Sequence, residues 1–363
     1  MLFDPRPKEM RGELFDRERE LEFLSKYVSL GSPIILCLGI RRVGKTSVLK
    51  TFLNESSYPY VYIDARRLSE IGYTKQGFYR LLSEEFMRVR KRFASFVEYL
   101  KIVKGVSIGG FGVEFDWKNK ELSFSSILMR MNEYAEDSET IFIIVIDEAQ
   151  DLRFLRGYRK IDFRQIIAYS YDNLRRVKFI LAGSEVGLLY RFLEFSDPLS
   201  PLYGRVKDEI VIERFSKEKS VEFLKLGFNE VNMKVPEDIL ERIVDTIDGI
   251  PGWLAYFGYK FIQLRRFDVL DQILSEAINV ALNELRKLNS YSPLYTHILK
   301  AISLGFNHWS LIKRAVEAWI GRSIPSKTLY SLLNNLIDMS IVSKVDNEYI
   351  FPDPIYEKAS KQL

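Results

Sequence analysis

The stretch LGIRRVGKTSVLK, residues 38–50, follows a short apolar run, PIILCL (33–38), and leads into helical patterning. It fits the spacing G-x-x-x-x-G-K-[ST] from Gly39 through Gly44, Lys45 and Thr46. Gly39 and Gly44 permit backbone angles closed to other residues, so successive N–H groups can turn toward one anion. The helix that follows adds the positive end of its dipole. Lys45 is expected to reach the β- and γ-phosphates of a nucleotide, and Thr46 to ligate Mg²⁺. Arg41, Arg42, Val43 and Ser47 complete the expected nucleotide-contacting loop. A chance glycine turn is the competing reading. The strand before the loop and the helix after it argue against that reading.

Outward from the loop, apolar runs alternate with helical stretches. YPYVYID (58–64), TIFIIVID (140–147), VKFILAG (177–183) and EIVIERF (209–215) read as further strands. TIFIIVID is the most apolar and is expected at the centre of the sheet. The alternation predicts an α/β fold with a mostly parallel sheet and helical crossovers. Residues 1–15 read as an extended arm, 15–28 as a helix, 75–103 as a helical stretch and 106–122 as a hairpin packed on the core. Beyond about residue 215 the pattern becomes helical, and the last segment reads as three helices and two short strands about Asp346-Asn347. That is the outline of a winged helix. The expected division is a phosphate-binding core over 1–215, a helical lid over 216–288 and a winged helix over 289–363.

Three further positions carry chemistry. Asp147-Glu148 ends the most apolar strand, where an acidic pair lies beside a phosphate loop. Asp147 is expected in the Mg²⁺ shell, and Glu148 is expected to polarise the attacking water. The bland alternative is two solvated acids at a strand end. Ser184, at the tip of the next strand, is either a sensor of the γ-phosphate or a helix cap. Arg205, just before the last strand, either stabilises transition-state charge or forms a surface ion pair.

Composition narrows the class. The 363 residues are 47% hydrophobic and 13% aromatic, enough for a large core. A single cysteine, Cys37, excludes a disulfide framework within the chain and a cysteine metal cluster, and two histidines disfavour a His-rich metal site. The N-terminal residues lack the apolar core of a signal peptide and no apolar run reaches about 18 residues, so the expected location is cytoplasmic with no membrane partner. Net charge is +4, from 53 basic and 49 acidic residues, a balanced surface rather than that of a dedicated nucleic-acid binder.

FDREREL (15–21), GIRRVGKTSVL (39–49), VIDEAQDL (145–152) and DGIPGWL (248–254) occur in that order. Together they resemble the archaeal ATPase family within the STAND branch of AAA+ nucleoside triphosphatases, over nearly the whole chain. The resemblance implies ATP/ADP and Mg²⁺ as ligands. It makes Phe15 and Arg17 adenine-side contacts, Pro251 part of a lid element closing over the nucleotide, and Arg205 an arginine finger. It also places Asp64 where many AAA+ proteins hold a switch for the catalytic glutamate, although a strand-end aspartate is also a common cap. No sensor-2 arginine stands beside GIPGWL, which implies slow or partner-dependent hydrolysis.

Three functional classes follow: an ATP-driven molecular switch, an ATP-regulated DNA-binding protein, and a nucleotide-binding module without turnover. Glu148 favours the first over the last. Residues 290–363 hold eight basic and six acidic residues, and the expected recognition helix, SKTLYSLLNNLIDMS (326–340), carries only Lys327 as a base. Phosphate contacts usually draw on cations or well-placed donors, so an unknown protein partner is favoured, with DNA as the alternative and room for self-association.

Overall fold

The computed structural model describes residues 1–92, 94–109, 112–116, 118–119, 121–155, 161–265 and 270–363. They fall into two compact units: Arg17–Gly39 with Lys45–Ile212, and Met1–Asp16 with Ile40–Gly44 and Glu213–Leu363.

The first unit is the α/β core. In chain order it contains α1 (Glu18–Ser29), β1 (Ile34–Leu38), α2 (Lys45–Glu55), β2 (Tyr60–Asp64), α3 (Leu68–Ile71), α4 (Lys75–Arg92) and α5 (Ala94–Leu100). There follow β3 (Val106–Gly109), β4 (Gly112–Phe115), α6 (Phe124–Asp137), β5 (Phe142–Asp147), α7 (Phe163–Asn173), β6 (Val177–Gly183), α8 (Val186–Leu193) and β7 (Asp208–Val211). The five-stranded sheet runs β2-β5-β6-β1-β7, all pairs parallel. β1, β5 and β6 are buried along their whole length, as strands covered on both faces must be, whereas β2 alternates and lies at an edge. The middle strand is β6, not β5. Hydrophobicity reports burial on both faces, and two neighbouring interior strands satisfy it equally. β3 and β4 form the expected hairpin. Val113 and Phe115 are buried, and the Phe115 ring meets Tyr79 and Phe86 of α4.

The second unit is helical: α9 (Lys217–Asn229), α10 (Glu237–Ile247), α11 (Pro251–Leu264) and α12 (Leu270–Arg286) precede α13 (Leu294–Ser303), α14 (Trp309–Ile320) and α15 (Ser326–Asp338). The antiparallel pair β8 (Ser343–Val345) and β9 (Glu348–Ile350) follows, with Asp346 and Asn347 at its turn at φ 47° and 69°. α10 shows why such segments form helices: Leu240, Ile243, Val244 and Ile247 make one buried stripe. The N-terminal arm is anchored here. Phe3 is fully buried against Gly227 and Gly258, where an added Cβ would come within 2.3 and 2.5 Å of its ring. The sequence reading ended on the β8–β9 pair and missed α16 (Pro354–Ser360), which packs on α12 and α13. Its start carries a readable signal, with Asp353 capping the Ile355 N–H at 2.8 Å and proline at the first helical position. No described helix is long and apolar enough to cross a membrane.

Candidate nucleotide-binding site

In the α/β unit, the carboxyl ends of β1, β5 and β6 bring five expected residues together. Parallel pairing aligns these ends, so a group at each tip faces one crevice. Lys45, the first residue of α2, is 6% exposed, and its Nζ donates to the Gly39 carbonyl at 2.7 Å. Thr46 Oγ1 donates to Asp147 Oδ2 at 2.8 Å. Glu148 Oε2 accepts from the Ser184 N–H at 3.0 Å and from Ser184 Oγ at 2.8 Å. Ser184 is therefore not serving as a side-chain cap: Glu185 holds the N-cap position of α8. Glu148 adopts φ 51°, a left-handed conformation rare for a non-glycine residue.

Sequence reading missed two residues of this cluster. Tyr62, on β2, donates from its hydroxyl to Asp147 Oδ2 at 2.6 Å. Gln150 Nε2 donates to Glu148 Oε2 at 2.7 Å. The DEAQ run offered Gln150 as a signal, since it lies two residues past Glu148; nothing local marks Tyr62.

The two adjacent carboxyls are tuned in opposite directions. Burial pushes Asp147 up, with the Glu148 charge adding to it, against the hydrogen bonds from Tyr62 and Thr46. Burial would also raise Glu148, but the Lys45 charge and the donors Gln150 and Ser184 outweigh it and hold Glu148 below its ordinary value. Glu148 is thus a carboxylate at neutral pH, the form that can orient or deprotonate water. Cys37 is fully buried, and its thiol is pushed up to about 12, so it is no nucleophile.

Within the helical unit, the loop residues 40–44 meet the start of α11 and Glu284 of α12, which Tyr356 of α16 also holds. Arg42 stands at φ 68°, and its carbonyl accepts from the Gly252 N–H at 2.9 Å. Its guanidinium donates to Glu284 Oε1 at 2.8 Å and lies 4.2 Å from the Trp253 ring centroid. Arg41 approaches the same carboxylate at 3.6 Å. Tyr356 donates to Glu284 Oε2, and Trp253 Nε1 donates to Asp353 Oδ2 at 3.1 Å. Both arginine side chains thus face Glu284, Arg42 half-buried and Arg41 exposed. Val43 is buried and Ser47 half-buried. Gly44 lies at φ 101° and Gly39 at φ 152°, as the motif requires. Pro251 opens α11, where its missing N–H costs nothing. Gly252, next to it, allows the approach of Arg42: an added Cβ would stand 2.7 Å from Arg42 Cβ.

The remaining expected residues lie differently. Phe15 packs its ring on Phe215 and Phe223, with Lys219 Nζ 5.6 Å from its centroid. Arg17 is 5% exposed and pairs with Glu20 at 3.4 Å. Arg205 pairs with Asp172 at 2.7 Å and lies over Tyr171, 5.2 Å from its centroid. Asp64 engages its own chain: its carboxylate accepts from the Arg66 backbone and guanidinium, as the cap of a 3-10 turn.

A family profile described as ATPase domains predominantly from Archaea matches residues 14–257. A profile of the C-terminal winged helix-turn-helix domain of MCM proteins matches residues 289–351. The chain is similar to a Walker-type ATPase of Pyrococcus abyssi, with 40% identity over 99% of this chain and 100% of that one, at a TM-score of 0.85. The ORC2 protein of Aeropyrum pernix, solved in ADPNP–ADP complexes, is similar in fold at 14% identity, with 99% and 95% of the chains covered and a TM-score of 0.61. The ADP form of that protein gives 12% identity and a TM-score of 0.54. None of the curated proteins compared matches the chain. The architecture is an AAA+-type parallel-sheet core with a C-terminal winged-helix domain. With its Walker loop, its acidic strand end and this similarity over its whole length, the chain belongs to the family of ATPase domains found predominantly in Archaea.

Proposed function

We propose that this protein binds ATP with Mg²⁺, hydrolyses it slowly, and works as a molecular switch on a macromolecular partner. The observation that carries this reading is the cluster of Lys45, Thr46, Asp147, Glu148 and Ser184 at the ends of adjacent parallel strands. Among the described residues no group of three or more His, Cys, Asp or Glu could cage a metal by itself. Thr46 and Asp147 present hard oxygens 2.8 Å apart, a donor set suited to Mg²⁺, which takes its other ligands from phosphate and water. Bound there, the ion would neutralise charge on the phosphates.

The chain's own groups do the rest. Backbone N–H groups of the loop and Lys45 hold the phosphates. Glu148 orients the attacking water, and Ser184 fixes Glu148 or the γ-phosphate. Arg205 contributes transition-state charge when it exchanges Asp172 for phosphate, in its own site or a neighbour's. Phe15, Arg17 and Pro251 belong to the adenine side. The working division is core 1–215, lid 216–288 and winged helix 289–363. Nucleotide arrival at Arg41 and Arg42 has a route to α12 and α16 through Glu284 and Tyr356.

Glu148→Gln tests the reading. The variant is expected to retain ATP and lose turnover, because the water-orienting charge goes while the fold and the metal ligand stay. Equal turnover in both proteins would remove Glu148 from the mechanism.

The second reading, a DNA-binding protein regulated by ATP, is favoured by the match of residues 289–351 to the MCM winged helix. The sparse positive charge of α15 weighs against it. Salt-dependent DNA binding lost on Lys327→Ala would favour it over a protein partner.

A further inference from the structure

Tyr62 does more in this site than fill an edge strand. β2 and β5 pair in parallel, with Tyr62 opposite Val145 and Asp64 opposite Asp147. Side chains two apart share a face, so Tyr62 lies diagonal to Asp147. A serine or threonine at position 62 would be too short to span that diagonal; the phenol spans it, reaching Asp147 Oδ2 at 2.6 Å. The same oxygen accepts from Thr46 at 2.8 Å, and the other, Oδ1, accepts from the Glu148 N–H at 3.1 Å. Asp147 is 1% exposed, so no bulk water stands ready to replace a lost donor. Two hydroxyls on one oxygen and a backbone amide on the other define the plane of the carboxylate.

We infer that Tyr62 is a positioning residue for the divalent cation, holding Asp147 and, through the shared Oδ2, Thr46 in the orientation that receives it. This rests on the reading of Thr46 and Asp147 as the metal-side pair. A cation approaching Thr46 needs the lone pairs of its oxygen, while the Thr46 proton stays directed at Asp147. Tyr62 supports that arrangement through the same Oδ2 by resisting rotation of the carboxylate. Partners that orient a metal ligand typically contribute about 10- to 100-fold in metal affinity when removed singly.

The test is Tyr62→Phe, which deletes one oxygen and keeps the ring. Mn²⁺ binding is followed by electron paramagnetic resonance in the presence of a non-hydrolysable ATP analogue. Affinity for a fluorescent ATP analogue is measured in EDTA and across a Mg²⁺ titration. The expected result is a metal affinity about 10-fold or more weaker, with analogue affinity in EDTA and the melting temperature close to wild type. Tyr62→Gln, whose shorter side chain does not carry a donor as far as Asp147 Oδ2, should lose metal affinity as Tyr62→Phe does. A Tyr62→Phe metal affinity within twofold of wild type, beside an Asp147→Asn protein that loses metal dependence, would overturn the inference. Loss of analogue binding in EDTA by both Tyr62 variants would also overturn it, by making Tyr62 a structural residue. If instead Thr46→Ala and Asp147→Asn both keep wild-type metal dependence, the reading of the metal-side pair fails, and the inference with it.

Discussion

Replacing Glu284 by glutamine removes the charge that holds Arg42 while leaving an acceptor of the same shape. Arg42 Nη2 stands 2.8 Å from Glu284 Oε1, and the two side chains retain 23% and 25% of their exposure. An exposed pair contributes about 0–1 kcal/mol. Breaking a fully buried one costs about 3–5 kcal/mol. One-quarter exposure places this pair between the two, at about 2 kcal/mol. The Arg42 Nη1 atom is buried with no hydrogen-bond partner in the described structure, so Glu284 and the Trp253 face carry much of its compensation. The contact with Trp253 survives the substitution and retains about 1 kcal/mol. Urea unfolding followed by tryptophan fluorescence on Glu284→Gln, Arg42→Met and the double variant isolates the pairwise coupling. We expect about 2 kcal/mol, weakly dependent on salt.

The pH dependence has a definite sign. Burial pushes Glu284 up, but Arg42, Tyr356 and Arg41 hold it below its ordinary value of 4.5. A lowered carboxyl stabilises the fold above its unfolded value, and that contribution disappears as pH falls through the folded value. The wild-type protein should therefore lose stability in the window below about pH 4.5 that Glu284→Gln does not share. A coupling under about 0.5 kcal/mol, with parallel pH curves, would refute the argument that Glu284 restrains the phosphate loop.

Gly252→Ala should destabilise by about 1–3 kcal/mol through overpacking against Arg42, and should weaken ATP-analogue binding by displacing the loop, measured by melting and by fluorescence titration. Arg205→Ala should lower turnover while ADP and ATP affinities stay near wild type, because a group that meets charge only in the transition state leaves ground-state binding alone. Arginine fingers contribute about 10³-fold or more; the slow baseline proposed here predicts a smaller loss, partly restored by mixing with Glu148→Gln protein if Arg205 acts on a neighbour. Wild-type turnover in Arg205→Ala would leave Arg205 with its Asp172 pairing alone.

The residues along one short stretch determined much. Gly39, Gly44, Lys45 and Thr46 act through backbone freedom and position on a strand–loop–helix, all local properties, so the phosphate loop was legible without coordinates. The alternation of the apolar runs PIILCL, TIFIIVID and VKFILAG with helical stretches predicted a mostly parallel sheet, since a helical crossover returns the chain to start the next strand in the same direction. The helix–helix–helix–hairpin order of the last segment was likewise visible, and α16 could have been read from Asp353-Pro354. Tertiary structure decided everything that depends on which residues distant in sequence become neighbours. The order of β5 and β6, Tyr62 on Asp147 across 85 positions, and Glu284 on Arg42 across 242 positions leave no periodicity to read. Glu148 illustrates the limit: its neighbour Gln150 stands two residues on and could be read, whereas only packing brought it to Ser184, 36 positions away. The reason is physical: a propensity is a property of a residue and its neighbours in the chain, whereas a hydrogen bond between distant residues exists only once the backbone has brought them within about 3 Å.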